Sequence, residues 1–344
     1  MPNEKRATIR DVAAEAGVSK SLVSLVFSRA EGVSEDKRTR VMDAAKKLGF
    51  TPNVWARSLA TGSGTFVGIL VVDLHNPLFT EIADLARRAL LERGQSSFMA
   101  AAIISERNGK KTLEPSTVNG LLDLRPQGIL VVGGLPSVSA LKSVPDSVPI
   151  VFATSVVPDL SNAITVRSDE AEGMRLIAQH LTSLGHQRIA YIGPNDDAIA
   201  KARLGAFKVA MRSAGCESSM IFQECERTET GGHSATKLLM AGETKPTAIV
   251  SFNDIVAIGA QEALDQFVEA GGKKIALTGY DNTYIAALSK ISLTSIEQEK
   301  DAIATQVAEL LTNRALSERS RGKEFLLLPR LVVRQSTAGV VASE

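Results

Sequence analysis

TIRDVAAEAGVSKSLVSLVFS, residues 8–28, packs two helix starts and one helix stop into a short stretch. Thr8, with Asp11 three positions on, has the form of a capping box, and Ile9, Val12, Ala13 and Ala16 then share one helical face until Gly17 stops the helix. Ser19 caps a second helix running through Ser28, in which Leu22, Val23, Val26 and Phe27 supply apolar contacts. Lys20, Ser21, Ser24 and Leu25 occupy a different face. Outward from these, Ser34 caps a third helix to Leu48, with Val41, Ala44, Ala45 and Leu48 turned to a core and Gly49 as its stop. Three short helices, the first two meeting across the tight turn Gly17-Val18, form a helix-turn-helix pattern. In that geometry the second helix enters the major groove of DNA and the others brace it.

Charge supports the pattern. Residues 1–62 carry eleven Lys/Arg against seven Asp/Glu, a net +4, which leaves −3 for the remainder of a chain whose total is +1. A basic excess on a near-neutral body suits phosphate contacts that release counterions. The chain has 344 residues, 44% of them apolar, enough for more than one packed core. No apolar run has the length of a membrane span, and Met1–Arg10 lacks the apolar stretch of a signal peptide, so a cytoplasmic protein without membrane association is expected. Cys216 and Cys225 match neither a redox pair nor a zinc-ligand set, and no metal or cofactor is expected.

Residues 8–28, followed by VSEDKRTRVMDAAKKLGFTPNVWARSLATG, closely resemble the DNA-binding head of the LacI/GalR family of bacterial transcriptional regulators. The resemblance implies that Ser19 to Ser28 is the recognition helix and that Lys20, Ser21 and Leu25 face major-groove bases. Lys20 can donate to guanine and Ser21 can serve either partner, whereas Leu25 offers only an apolar contact to a thymine methyl. It adds Thr8, Ser19, Ser24 and Arg29 to the contacting set. Pro52 to Leu59 resembles the family's hinge helix, which orders on DNA in the minor groove, with Asn53, Ala56 and Arg57 as contacts. Leu59 matches the apolar wedge that kinks the duplex. Trp55 is bulkier than the family's usual residue there.

From Thr65 the texture changes to short apolar runs, each followed by a helical pattern: FVGILVVD, GILVVGG, VPIVFAT, RIAYIGP, TAIVSF and KIALTGYD. This alternation predicts parallel sheets with both faces covered, and Asn76-Pro77 caps the first helix of the body. VGILVVDLHNPLF, HLTSLGHQRIAYIG, ARLGAF, FNDIVAIGA and TGYDN resemble the same family's sensor, which has the two-lobed fold of periplasmic sugar-binding proteins; residues 95–125 match more loosely. The expected organisation is a head at 1–50, a hinge at 51–62 and a ligand-binding and dimerisation domain at 63–344. One lobe spans about 63–164 and 298–325, the other about 165–297 and 326–344.

The resemblance assigns ligand contacts to Asp281 and Arg203, the latter holding two ligand oxygens with its fork, to Asn253 and Gln298, and to Asn76 and Phe79 from the other lobe. Asp254 is read as a helix cap and His186 as structural. Two departures stand out: Thr154 lies where many relatives place an aspartate, and Glu226 falls, by its spacing to Gly231, where an aromatic platform is common. A sugar, sugar alcohol or cyclitol suits the set better than a purine. Gly62-Ser63-Gly64 and Gly271-Gly272-Lys273-Lys274 lack the spacing of nucleotide loops, so no enzyme is expected. A transport receptor would share the two-lobed body but predicts a secretory N-terminus. The tail after Leu331 carries no leucine heptad, which points to a homodimer, and the whole reads as a transcriptional repressor binding palindromic double-stranded operator DNA under effector control.

Overall fold

In the computed structural model, which describes residues 7–27, 32–50, 66–107, 110–156, 160 and 162–340, the chain divides into two compact units, Met1–Gly62 and Ser63–Glu344. The first begins with α1, Ile9–Ala16. Thr8 and Asp11 exchange a full capping box, Asp11 Oδ2 accepting from the Thr8 N–H at 2.8 Å, and Gly17 closes the helix at φ 63°. α2, Lys20–Phe27, starts where Ser19 Oγ accepts from the Leu22 N–H at 3.2 Å. α3, Glu35–Lys47, has Ser34 at its N-cap position, but the hydroxyl makes no cap bond, and Glu35 and Asp36 in the first turn complement the helix dipole instead. Val12, Ala16, Val23, Val26, Val41 and Ala45 form the core. Two basic side chains of α3 also bond to the backbone of the other helices. Arg40 donates to the Ala16 carbonyl at 2.7 Å and Arg38 to that of Val26 at 3.4 Å, satisfying acceptors that the ends of α1 and α2 leave open. Arg29, Asn53, Trp55, Ala56, Arg57, Leu59 and the expected hinge helix lie outside the described residues.

The second unit is α/β and two-lobed. Its first lobe contains β1 (Phe66–Val71), α4 (Pro77–Glu92), β2 (Ser96–Ala101), the hairpin β3 (Ile104–Arg107) and β4 (Lys110–Leu113), α5 (Pro115–Asp123), β5 (Gly128–Val132), β6 (Ile150–Ala153) and β7 (Ile164–Ser168). The second contains α6 (Glu170–Ser183), β8 (Ile189–Gly193), α7 (Ala198–Ser213), β9 (Ile221–Glu224), α8 (Glu229–Ala241), β10 (Ala248–Ser251), α9 (Asp254–Glu269), β11 (Ala276–Tyr280) and β12 (Thr294–Glu297). The chain then returns through α10 (Lys300–Thr312), α11 (Arg314–Arg319) and β13 (Glu324–Leu327) to the first lobe and ends through β14 (Arg330–Val332) in the second. Sheet orders are β13-β7-β6-β5-β1-β2 and β14-β12-β11-β10-β8-β9, parallel throughout except at β14.

The crossovers fall near 169, 298 and 328, against expected positions of about 165, 298 and 326. β7 and β13 remain with the first lobe because Ile164, Val166, Phe325 and Leu327 pack into its core. Residues 95–125, where the pattern is loosest, hold the β3–β4 hairpin. No helix among the described residues is long and apolar enough to cross a membrane.

Helices α8 and α9 approach so closely that a Cβ at Gly259 would overlap the Glu229 carbonyl, and one at Gly232 the Val256 carbonyl. Backbone cannot swing aside as a side-chain tip can. Gly259→Ala is therefore expected to destabilise the second unit by about 1–3 kcal/mol, read as a lower urea midpoint at unchanged slope. An unaltered midpoint would show that the helices have room to separate.

Candidate functional site

The ends of the strands of both sheets open onto one cavity of about 1610 Å³, the place where a doubly wound sheet puts its ligand crevice. Each polar group expected there lines it: Asn76, Thr154, Arg203, Asn253, Asp281 and Gln298, with Phe79. What they bond to was not legible in the sequence.

Arg203, on α7, is 4% exposed. Its Nε donates to Glu170 at 2.8 Å and its Nη2 to the same carboxylate at 3.4 Å, while Nη1 donates to the Phe252 carbonyl at 2.6 Å. The guanidinium lies 3.8 Å from the Tyr280 ring centroid and 4.7 Å from that of Phe252. Burial alone would lower its pKa, but the Glu170 carboxylate and the other neighbours raise it, so the charge persists. The fork expected to grip two ligand oxygens is thus committed to Glu170, since a buried guanidinium left unpaired is strongly unfavourable.

Asp281 directly follows β11 at φ 107°, a strained conformation for a residue with a Cβ. Its Oδ1 accepts from Gln298 Nε2 at 2.6 Å and stands 3.8 Å from Arg203 Nη1. Burial pushes its pKa well above the usual carboxylate range, which Arg203 only partly offsets. Gln298 Oε1 in turn accepts from Ser168 at 3.2 Å, so this amide spans a crossover between lobes. Thr154 also has positive φ, 61°, and its hydroxyl donates to the Ala153 carbonyl.

The cap of α9 is Asn253, whose Oδ1 accepts from the Val256 N–H at 3.0 Å; Asp254, read from the sequence as the cap, instead lies fully buried and accepts from Ser295 at 2.6 Å and from the Thr283 N–H at 2.7 Å. The shift of one position follows from which side chain stands in extended backbone before the first turn. Among the described residues Asn253 Nδ2 has no acceptor, so it remains available toward the cavity. Asn76 caps α4 through the Leu78 N–H at 3.0 Å.

Glu226 is exposed, and the residue that packs against the cavity aromatic there is Arg227, 5.3 Å from the Phe252 centroid and held by Asp196 at 2.7 Å and Asp197 at 2.8 Å. Glu170, Phe252 and Arg227 were not singled out from the sequence, because none sits in a pattern that local spacing distinguishes from a surface turn. His186 is saturated by Thr247 and by the Val340 carbonyl, both at 3.0 Å, in keeping with its structural reading. The Cys225 thiol is pushed up to about 11 by burial and stays protonated. In the first unit Thr8, Ser19, Lys20, Ser21, Ser24 and Leu25 are exposed, and the last four share the solvent face of α2.

Comparison with known proteins bears on both units. Residues 8–53 match the family described as bacterial regulatory proteins, lacI family, and residues 178–337 match the periplasmic binding protein-like domain. The ribose operon repressor of Escherichia coli (strain K12) is 30% identical over 96% of this chain and 99% of its own length. The HTH-type transcriptional repressor PurR of Aliivibrio salmonicida (strain LFI1238) is 29% identical over 96% and 98%. A crystal structure of the lac repressor dimer bound to operator and the anti-inducer ONPF superposes with a TM-score of 0.82 at 25% identity, covering 98% of this chain and all of that one.

A carboxyl held neutral in the folded chain keeps a proton that the unfolded chain releases above about pH 4. Its stabilising contribution is complete in acid and is lost as pH rises through the raised folded value. The melting temperature is therefore expected to decline from about pH 4 to about pH 8, between the unfolded and the raised folded value, and to level off above, and Asp281→Asn, which keeps the shape without the charge, to flatten the decline. A variant profile parallel to that of the wild type would assign the effect to another group.

Proposed function

Because the chain belongs to the LacI family of bacterial regulatory proteins, and is thus a DNA-binding transcriptional repressor and not an enzyme, we propose that it reads a near-palindromic operator as a homodimer under control of a neutral polyhydroxylated effector, a sugar, sugar alcohol or cyclitol, bound between its lobes. The observation that carries the effector class is the convergence of Arg203, Asn253, Asp281 and Gln298 at one end of the cavity. Each is pre-oriented by a protein partner, and the group as a whole offers both donors and acceptors to hydroxyls. The Phe252 ring is flanked by the Arg203 and Arg227 guanidiniums, which favours a ligand without an extended aromatic face. The ribose operon repressor among the relatives fits this reading.

On the DNA side, Lys20 and Ser21 read the major groove from α2, and Leu25 contributes an apolar contact. Ser19, Ser24, Thr8 and Arg29 support the docking. Asn53, Ala56 and Arg57 follow the minor groove, and Leu59 wedges between base pairs. One small head makes few base contacts, so two heads on a dimer supply the affinity, and each mismatch costs about 1–3 kcal/mol. Effector closure of the lobes biases hinge order through a coupling of typically about 1–3 kcal/mol.

Two measurements test the proposal. In a thermal-shift panel of D-ribose, D-glucose, myo-inositol and hypoxanthine, at least one of the polyols is expected to raise the melting temperature; stabilisation by hypoxanthine alone overturns the effector class. In selection from randomised duplexes the wild-type chain is expected to enrich a two-fold symmetric site, while Lys20→Ala loses a guanine preference at one symmetric pair of positions, weakening binding by about 1–3 kcal/mol. Enrichment of the same sequence by the variant would remove Lys20 from base readout.

A further inference from the structure

Asp281 begins a turn, 281–284, whose first two residues have positive φ, 107° at Asp281 and 43° at Asn282. The backbone of this second-lobe turn is held by two side chains of the first lobe. Glu81, on α4, accepts from the Tyr284 N–H through Oε1 at 2.9 Å. Lys300, the first residue of α10, donates through Nζ to the Asn282 carbonyl at 2.6 Å and the Asp281 carbonyl at 3.2 Å. The two are paired with each other, Lys300 Nζ to Glu81 Oε2 at 3.1 Å, and Lys300 also reaches Glu297 at 3.3 Å. From within the second lobe, Asn282 donates to Glu297 at 2.7 Å and accepts from Arg334 at 2.7 Å.

A strained turn persists only where its surroundings over-determine it, and here part of that determination comes from the opposite lobe. α4 and α10 pack side by side in the first-lobe core, so the two side chains are borne by one rigid body. We propose that Glu81 and Lys300 are positioning residues that clamp the Asp281–Tyr284 turn across the cleft. They hold the Asp281 carboxyl toward the cavity and set the spacing of the lobes before any ligand is present. The contacts go to main-chain atoms, so the clamp depends on the turn's conformation rather than on its side chains. Any movement of Asp281 strains the clamp, and any separation of the lobes releases the turn. That an effector exploits this link rests on the cleft reading above; the clamp itself does not.

The test therefore uses the full chain without ligand. Hydrogen–deuterium exchange across 282–286 and small-angle scattering are compared among the wild type, Glu81→Ala and Glu81→Gln, with thermal melts to confirm folding. Glu81 is partly exposed on a helix, and alanine suits that position. Glu81→Ala is expected to speed exchange at Tyr284 on the order of tenfold and to enlarge the radius of gyration. Glu81→Gln keeps an acceptor for the Tyr284 N–H but loses the charge facing Lys300, and is expected to fall between the two. A merely structural residue would lower the melting temperature without changing the scattering of the folded protein. Exchange and scattering of Glu81→Ala identical to the wild type would overturn the clamp. Failure of every polyol to bind would overturn the effector reading and leave these measurements as they stand.

Discussion

The cleft is organised around one buried positive charge. With 4% exposure, Arg203 is compatible with folding only if partners replace the water it has lost. Those partners come from across the second lobe: Glu170 at the head of α6, the Phe252 carbonyl after β10, and Asp281 with the Tyr280 ring at the end of β11. Satisfying a single guanidinium thus fixes where several strand ends and a helix start meet. The polar floor of the cavity is a consequence of that requirement. A ligand meets groups already oriented by one another, which lowers the ordering cost of binding.

Among the described residues, four of the six non-glycine residues with positive φ lie near the same place. Thr154, Asp281, Asn282 and Glu299 all have positive φ without being glycine, and all stand at or beside the strand ends where the chain turns toward the cavity or crosses between lobes. Such conformations are held by dense bonding rather than by local preference. Asp281 is bonded to Gln298, which bonds Ser168 in the other lobe, and its turn is clamped by Glu81 and Lys300. Lobe geometry and the state of Asp281 are therefore connected by short paths of hydrogen bonds. This is the arrangement a two-lobed sensor needs if occupancy of its cleft is to alter anything beyond it.

The head obeys a simpler economy. Its core is small, and much of its order comes from helix ends: a reciprocal Thr8–Asp11 box, the left-handed Gly17, and Arg40 and Arg38 filling the open carbonyls of α1 and α2. Arg38 and Arg40 thus brace the head through backbone carbonyls while keeping their charge. Lys20, Ser21, Ser24 and Leu25 remain on the outer face of α2 because Val23 and Val26 take the inner one.

The helix-turn-helix, the alternation of strands and helices, the family and several of the residues lining the cavity, Asn76, Phe79, Thr154, Arg203, Asn253, Asp281 and Gln298, were legible in the sequence, because caps, periodicity and motif spacing act over a few residues. Two readings were corrected: Asn253 rather than Asp254 caps α9, and the Arg203 fork is taken up by Glu170 rather than left open to a ligand. What only the tertiary structure decided is how those residues are engaged. The pairing of Arg203 with Glu170, the flanking of Phe252 by Arg227 and the grip of Glu81 and Lys300 on the Asp281 turn join residues from 18 to 203 positions apart. No local preference encodes such pairs; they follow from the demand that buried charges and turn amides find partners once distant segments have been brought together by folding.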